Sequence, residues 1–396
     1  MRATKKYLVP AILAVASLAL AGCAPSADQK TDVAAAPVKV SIITSTTGPL
    51  AGYGAEYTQG FKAGLDYATD GTGKVAGRTL DISYVDDAGD ADKAVSAAKD
   101  AIGNGTKIIA GTVSSGIALA VAEQAAQNKI LYISGPAAAD AITGVNKYTF
   151  RSGRQTVQDV STAGTFVGDL TGKNVLVFAQ DTAFGQGNVA GVKAVLGAKG
   201  ATVTGELVPE DATEFTPFAQ KIRDAAPDMV FVAWAGATTG AMWQSLSQQG
   251  VFDAIPVVTG LGDIASYGAY GEASEGISFL SHYFSGAAGT DIEKTMIKFL
   301  AKNNEKADLF TPDGFVAAQM IVQAVKKGGG DDVAKMITSL EGWSFNSVKG
   351  KLTIRAADHA LIQPMFQAKL KADGATFVPE LIKVVDAATV APAPVK

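Results

Sequence analysis

The sequence predicts an α/β protein built as two Rossmann-like, doubly wound lobes, joined by a multi-strand hinge with a ligand in the cleft. Three observations predict it. From residue 38 onward, short β-branched runs alternate with stretches of helical periodicity, the pattern of parallel sheets with right-handed crossovers. The rhythm is interrupted at Tyr148–Arg151 and then restarts, so two such lobes follow one another. Several strands run into loops of small polar residues, and ligands of open α/β sheets bind at the carboxyl ends of their strands.

The amino terminus reads MRATKKYLVPAILAVASLALAGC. Arg2, Lys5 and Lys6 precede an apolar run, Leu8–Ala21, that is too short for a comfortable membrane span. Leu20–Ala21–Gly22–Cys23 resembles the lipobox of bacterial lipoproteins, in which the signal is cut before a cysteine whose thiol is lipidated. The plainer alternative is a secretory signal with a chance cysteine. Residues 1–22 are thus expected to be a lipoprotein signal peptide, Cys23 the lipidated residue, and 23–37 a polar tether. This places the folded body on the outer face of a bacterial cytoplasmic membrane. Cys23 is the only cysteine, so no internal disulfide is expected. Removing three positive charges with the signal takes the formal charge from −4 to −7. No basic stripe is present, which argues against nucleic acid as a partner. Past the signal no apolar segment is long enough for a permease, and the remaining length suggests two domains.

The elements follow in order. Val38–Thr44 reads as a strand running into the polar loop 45–54, and a helix carries Phe61, Leu65 and Tyr67. Thr79–Val85 is a strand ending in Asp86 and Asp87, and Ala91–Ile102 a helix. Lys107–Ala110 is a strand, followed by a helix from Ile117 to Asn128 and a strand at Ile130–Ile133. After Arg151 come helix 156–169, strand Asn174–Ala179, a turn at 180–187 and helix 188–199. Strands at 201–208, Met229–Trp234, Ile255–Thr259 and 276–281 alternate with helices at 215–225 and 239–249. Helices at 291–303, Gly314–Lys326 and 331–340 precede short strands, Lys351–Arg355, Pro364–Leu370 and Thr376–Val385, expected to finish the second lobe. Lobe 1 is therefore expected at 38–152 plus 283–347 and lobe 2 at 153–282 plus 348–390. The hinge is expected near Arg151–Arg154, Ser281–Phe284 and Ser347–Lys349.

The stretch 107–134 carries the clearest chemistry. Its strand stops at Gly111, and the polar turn Thr112–Gly116 opens a helix. Unpaired N–H groups and the positive end of the helix dipole meet there, so a carboxylate can be held without a formal positive charge. Ser114 or Ser115 would add a hydroxyl; alternatively, one serine merely caps the helix. Catalytic signals are thin. The two histidines, His282 and His359, sit beside apolar residues and read as structural, and no GxSxG elbow occurs. Gly71–Lys74 and Gly172–Lys173 lack the full spacing of a phosphate loop and read as turns. With no Cys/His cluster, neither a metal nor a cofactor is expected. An exported two-lobed α/β protein without catalytic equipment is expected to capture a small molecule.

At this point the chain resembles the leucine/isoleucine/valine (branched-chain amino acid)-binding proteins of ABC importers, which have the type I periplasmic-binding fold. The resemblance rests on the order of several pieces: Gly48–Pro49 with Tyr53–Gly54, Tyr84–Asp87, Gly111–Ser115, Ile133–Ser134, Phe150–Arg151, Phe184–Gly187 and Ala273 with Glu275–Gly276. It implies an α-carboxylate held by Ser115 and main-chain groups of Val113, Ser114 and Ser115. It implies further contacts in the next loop, where Pro136 would offer a carbonyl and Ala138 stands where relatives often have threonine. Aromatic walls map to Tyr53, Phe184 and Phe310. The second lobe departs from the pattern. Leu261 falls nearest the ammonium-binding glutamate, Asp263 lies two residues on, and Trp234 occupies the region where a tyrosine is expected. Asp263 is therefore the expected negative charge and Trp234 a wall or cation–π face. The resemblance implies a monomeric solute receptor that hands its cargo to an ABC permease and its ATPase. The cargo is a small carboxylate, an amino acid or a close relative. The alternatives are an organic or aromatic carboxylate binder, a sensory receptor of the same fold and, least favoured, an exported hydrolase.

Overall fold

The computed structural model describes residues 35–395. The expected signal peptide, Cys23 and most of the tether lie outside the described residues. None of the described helices is long and apolar enough to cross a membrane.

The first sheet is made of β1 (Val38–Thr44), β2 (Lys74–Val75), β3 (Arg78–Asp86), β4 (Ile108–Gly111), β5 (Leu131–Ser134) and β6 (Thr149–Arg151). Its order is β2-β3-β1-β4-β5-β6, parallel throughout except for the short β2–β3 hairpin. The central strands are apolar on both faces because helices cover both: Val40, Ile42, Ile43, Ile108 and Ile109 are all buried. Tyr148–Arg151 does not interrupt this lobe. Thr149–Arg151 pairs in parallel with β5 and closes the sheet.

The second sheet opens with β7 (Asn174–Gln180), β8 (Thr202–Val208), β9 (Met229–Ala233), β10 (Val257–Gly260) and β11 (Ile277–Ser281). Three further strands, β12 (Ser344–Ser347), β13 (Gly350–Ile354) and β14 (Leu361–Ile362), form a small antiparallel sheet of their own. The chain then returns as β15 (Met365–Asp373) and β16 (Thr376–Val385), which add antiparallel to the edge at β11. The order is β16-β15-β11-β10-β9-β7-β8. One expectation fails here. Residues 350–362 do not join the second lobe, because Leu352, Ile354 and Leu361 bury themselves with Val40 and Ile108 of the first. Only β15 and β16 finish the second sheet.

Four helices begin earlier than apolar periodicity suggests: Ala51–Ala68, Ser115–Asn128, Ala183–Val195 and Thr311–Gly328. Their first turns are rich in small, polar or aromatic residues and leave no apolar signal; Tyr53, Ser115 and Phe184 line a cleft, whereas Thr311 and Gly314 pack against helix Ala51–Ala68. The early starts correct the expected loops at 45–54 and 180–187 and bring Tyr53, Ser115 and Phe184 into first helical turns. Conversely, helix 156–169 stops at Ala163. Helices Ala51–Ala68 and Thr311–Gly328 touch backbone to backbone: a Cβ on Gly60 would lie 1.8 Å from the Thr311 carbonyl oxygen, and one on Gly314 1.9 Å from that of Tyr57. This contact fixes Phe310, at the start of the second helix, against Tyr53 with ring centroids 4.7 Å apart.

Candidate ligand-binding cleft

The ends of β4 and β5 face the ends of β7, β9 and β10 across a cavity of about 350 Å³. On the first-sheet side, Thr112 takes a left-handed φ of 62° after Gly111, a conformation rare for a β-branched residue. Its N–H donates to the Ile43 carbonyl (2.7 Å) and its hydroxyl pairs with the Tyr132 hydroxyl (2.6 Å). The strained residue turns the chain so that Val113, Ser114 and Ser115 line the cavity as the helix begins. Ser114 is the N-cap residue, yet its side chain makes no capping bond. Ser115 is buried, and its Oγ accepts the Ala139 N–H at 3.2 Å, tying this loop to the next. The hydroxyl proton of Ser115 and the first helical N–H groups remain available at the cavity wall.

The second loop is more committed than the resemblance implied. Pro136 and Ala138 line the cavity, but their carbonyls are already occupied. Pro136 accepts from Arg154 Nη1 at 2.6 Å, and Ala138 from the Thr156 N–H (2.9 Å) and hydroxyl (3.1 Å). Tyr53, Phe184, Trp234 and Phe310 all line the same cavity. Burial pushes the Tyr53 hydroxyl well above the usual tyrosine range, so it stays neutral. Trp234 packs on Phe178 and edge-on against Phe215, and its indole N–H donates to Thr238 Oγ1 at 3.0 Å. Leu261, nearest the place of the expected glutamate, is buried in the cavity wall.

Asp263 is the exception. It lies outside this cavity and lines a smaller one of about 290 Å³ beside Pro49, Tyr53 and Gly236. The physical reason is local: its carboxylate accepts the Ser266 N–H at 3.1 Å as the cap of a short helical turn. The two sheets' loops meet nearby. The Asp308 carboxylate accepts the Ile264 N–H at 3.0 Å, and a Cβ on Gly236 would come within 2.7 Å of the Pro49 carbonyl.

Sequence reasoning missed a group of charged residues where the chain passes between the sheets. Arg154, Asp159, Ser281 and His282 line the cavity. The Arg154 guanidinium donates from Nε to Asp159 Oδ2 at 3.3 Å and lies 5.5 Å from the Phe310 ring centroid. Burial pushes the Asp159 carboxyl up to about 6 against the opposing pull of Arg154. Burial, then Arg154 and Lys349, hold His282 well below its usual value and hence neutral. Behind them Asp313 is fully buried, 3.9 Å from His282 Nε2 and 4.0 Å from Lys349 Nζ, and burial raises it to about 6. Burial lowers Lys349 to about 8. The only available signal was that three predicted hinge segments each carry a basic or titratable residue. The second histidine, His359, stacks on Phe150 at 3.7 Å and bonds the Thr149 carbonyl through Nδ1, as a structural residue does.

Comparison with known proteins gives a consistent set. A family model described as periplasmic binding protein matches residues 37–375. The Leu/Ile/Val-binding protein BraC3 of Rhizobium johnstonii is 26% identical over 81% of this chain and 88% of its own length. A solved ABC-type branched-chain amino acid transporter protein of Rhodopseudomonas palustris is 33% identical and superposes with a TM-score of 0.75, covering 89% of this chain and 97% of that one. A solute-binding protein of an ABC transporter from the same species, solved with benzoate, is 25% identical with a TM-score of 0.76 over 88% of this chain and 98% of its own.

Proposed function

The chain belongs to the periplasmic binding protein family, and from that premise we propose that it captures a small carboxylate-bearing solute for an ABC importer by closing its two lobes. The observation that carries this reading is the start of helix Ser115–Asn128. Its N-cap serine leaves the helix end uncapped at the cavity wall, where free N–H groups and the helix dipole suit a carboxylate. The names of the relatives support an amino acid of the branched-chain type as cargo. A second reading, an aromatic carboxylate, is favoured by the ring-rich far wall of Phe231, Trp234, Trp243 and Tyr270 and by the benzoate-bound relative.

The receptor binds and releases its cargo unchanged, and its partners are a permease and its ATPase. On the sequence, Cys23 anchors a monomer to the outer face of the membrane; Cys23→Ser should release the protein, and unchanged retention refutes the anchor. Closure is a hinge motion about the segments near 151–154, 281–284 and 347–349, driven by tighter binding to the closed state. The test is a thermal-shift and calorimetric screen of amino acids, their deaminated acids, benzoates and the matching carboxamides. Carboxylates should stabilise the protein and carboxamides should not. Stabilisation by uncharged sugars or cations alone refutes the reading.

A further inference from the structure

Whether the cargo carries an amine turns on where the cleft keeps a negative charge. Two acids line the main cavity, Asp159 and Glu210. Glu210 is exposed on the loop after β8. Asp263 caps its own turn and faces the other cavity. Glu56 accepts from Phe310 N–H and Asp308 from Ile264 N–H, and neither lines the cleft.

Asp159 differs from all of these. It is buried, it lines the cleft, and its Oδ1 has no hydrogen-bond partner. Its other oxygen is fixed by Arg154, which is itself pinned by the Pro136 carbonyl in the loop beside Ser115. A positive and a negative side chain are thereby held together next to the helix end proposed for the carboxylate. That is the arrangement a zwitterion requires, and it leaves the ring-lined end of the cavity for the cargo's side chain.

We propose that Asp159 receives the α-ammonium of an amino-acid cargo, taking over the role that Leu261 and Asp263 do not fill. This rests on the carboxylate reading above and makes the cargo an α-amino acid. The raised carboxyl of Asp159 fits a group that burial has left short of positive partners.

The experiment titrates the full chain with the proteinogenic amino acids and, for each that binds, its deaminated acid and its carboxamide. Leucine with 4-methylpentanoate and phenylalanine with 3-phenylpropanoate are the first pairs. The wild type should prefer the amine-bearing member at least tenfold. Asp159→Asn should weaken the amino acid tenfold or more. It should leave the deaminated acid unchanged or tighter, because Arg154 loses its counter-charge. Equal wild-type affinity for both members of a pair overturns the assignment even if the variant does not fold. So does equal weakening of both by Asp159→Asn, the mark of a residue that only positions Arg154. Binding of deaminated acids or benzoates without any amino acid also overturns it, while the carboxylate reading stands. Carboxamides binding as tightly as acids sink the carboxylate reading itself.

Discussion

Beside the Tyr53–Phe310 pair, the first-sheet wall of the cleft presents main chain and small side chains, gathered at the strained turn Gly111–Ser115, whereas the second-sheet wall presents the rings of Phe231, Trp234, Trp243 and Tyr270. On the first wall a recognition group can be removed without opening the core, because Ser114 and Ser115 sit at a helix end. On the second, the lining is also the core: Trp243 is buried, stacks near Phe252 at 5.9 Å and meets Tyr270 at 4.9 Å. The uncapped helix end that suits a carboxylate and the main ring surface thus lie on different walls, with different couplings to stability, while Asp159 stands on helix Thr156–Ala163, which packs into the second core.

The largest expected effect tests that coupling. Trp243→Ala should cost about 3–5 kcal/mol of stability, the range for a large buried aromatic. Ser114→Ala on the opposite wall should stay within about 0.5 kcal/mol, having no capping bond to lose. Urea unfolding of both variants separates the walls; comparable losses would erase the distinction drawn here.

The next effect is on affinity. On the proposed carboxylate reading, Ser115→Ala should remove one hydrogen bond to a charged ligand group, worth roughly 1.5–3 kcal/mol, or about ten- to a hundred-fold in Kd. Part of any stability loss belongs to the Ala139 N–H, which loses its acceptor. Calorimetry with the best carboxylate from the screen reads the affinity directly. A change below threefold would mean that main-chain groups alone hold the carboxylate.

Much of this architecture was legible in the sequence, and the reasons differ by element. Parallel strands such as Ile108–Gly111 announce themselves because burial on both faces forces continuous apolar runs. The first wall was legible for the same reason, since a glycine and two serines follow such a run directly. Helix starts were misplaced because Tyr53, Ser115 and Phe184 face a cleft rather than the core. Strands β13 and β14 were assigned to the wrong lobe because short strands carry no mark of their partner. Arg154 and Asp159 were invisible as cleft residues: their meeting depends on how residues 152–159 cross between the sheets, and nothing in their spacing records that path.

Between the walls lies the buried group around Asp313, whose effect is smaller and pH-dependent. Burial raises its carboxyl from 3.8 to about 6, so the folded state binds the proton more readily than the unfolded chain. Its contribution is therefore fully present below the ordinary aspartate value and is lost as pH rises through 6. Lys349, lowered only to about 8, stays charged across that window. One group changes the slope of stability by at most about 1.4 kcal/mol per pH unit. Asp313→Asn should accordingly flatten the decline between pH 4 and 6, leaving the shares of the other buried acids. Among them are Asp159 and Asp308, which burial also raises to about 6, and Glu56, which burial raises well above its ordinary value. Identical slopes in variant and wild type would place the proton uptake elsewhere.

The smallest expected effect asks what kind of surface the second wall is. Trp234 contributes a ring packed on Phe178 and Phe215 and one donated bond to Thr238. Trp234→Phe keeps a ring in contact with both neighbours and deletes the donor, so stability should fall by about 0.5–1.5 kcal/mol, the worth of one ordinary hydrogen bond. If the wall acts through shape alone, affinity for a branched aliphatic cargo should change less than threefold. The indole has the strongest face of the aromatic side chains for a cation, so a cargo whose ammonium rested on Trp234 would lose more. The assignment of the ammonium to Asp159 requires the mild outcome: Trp234→Phe should weaken an amino acid and its deaminated acid by the same small factor. A loss confined to the amino acid would move the ammonium from Asp159 onto the Trp234 ring and overturn that assignment.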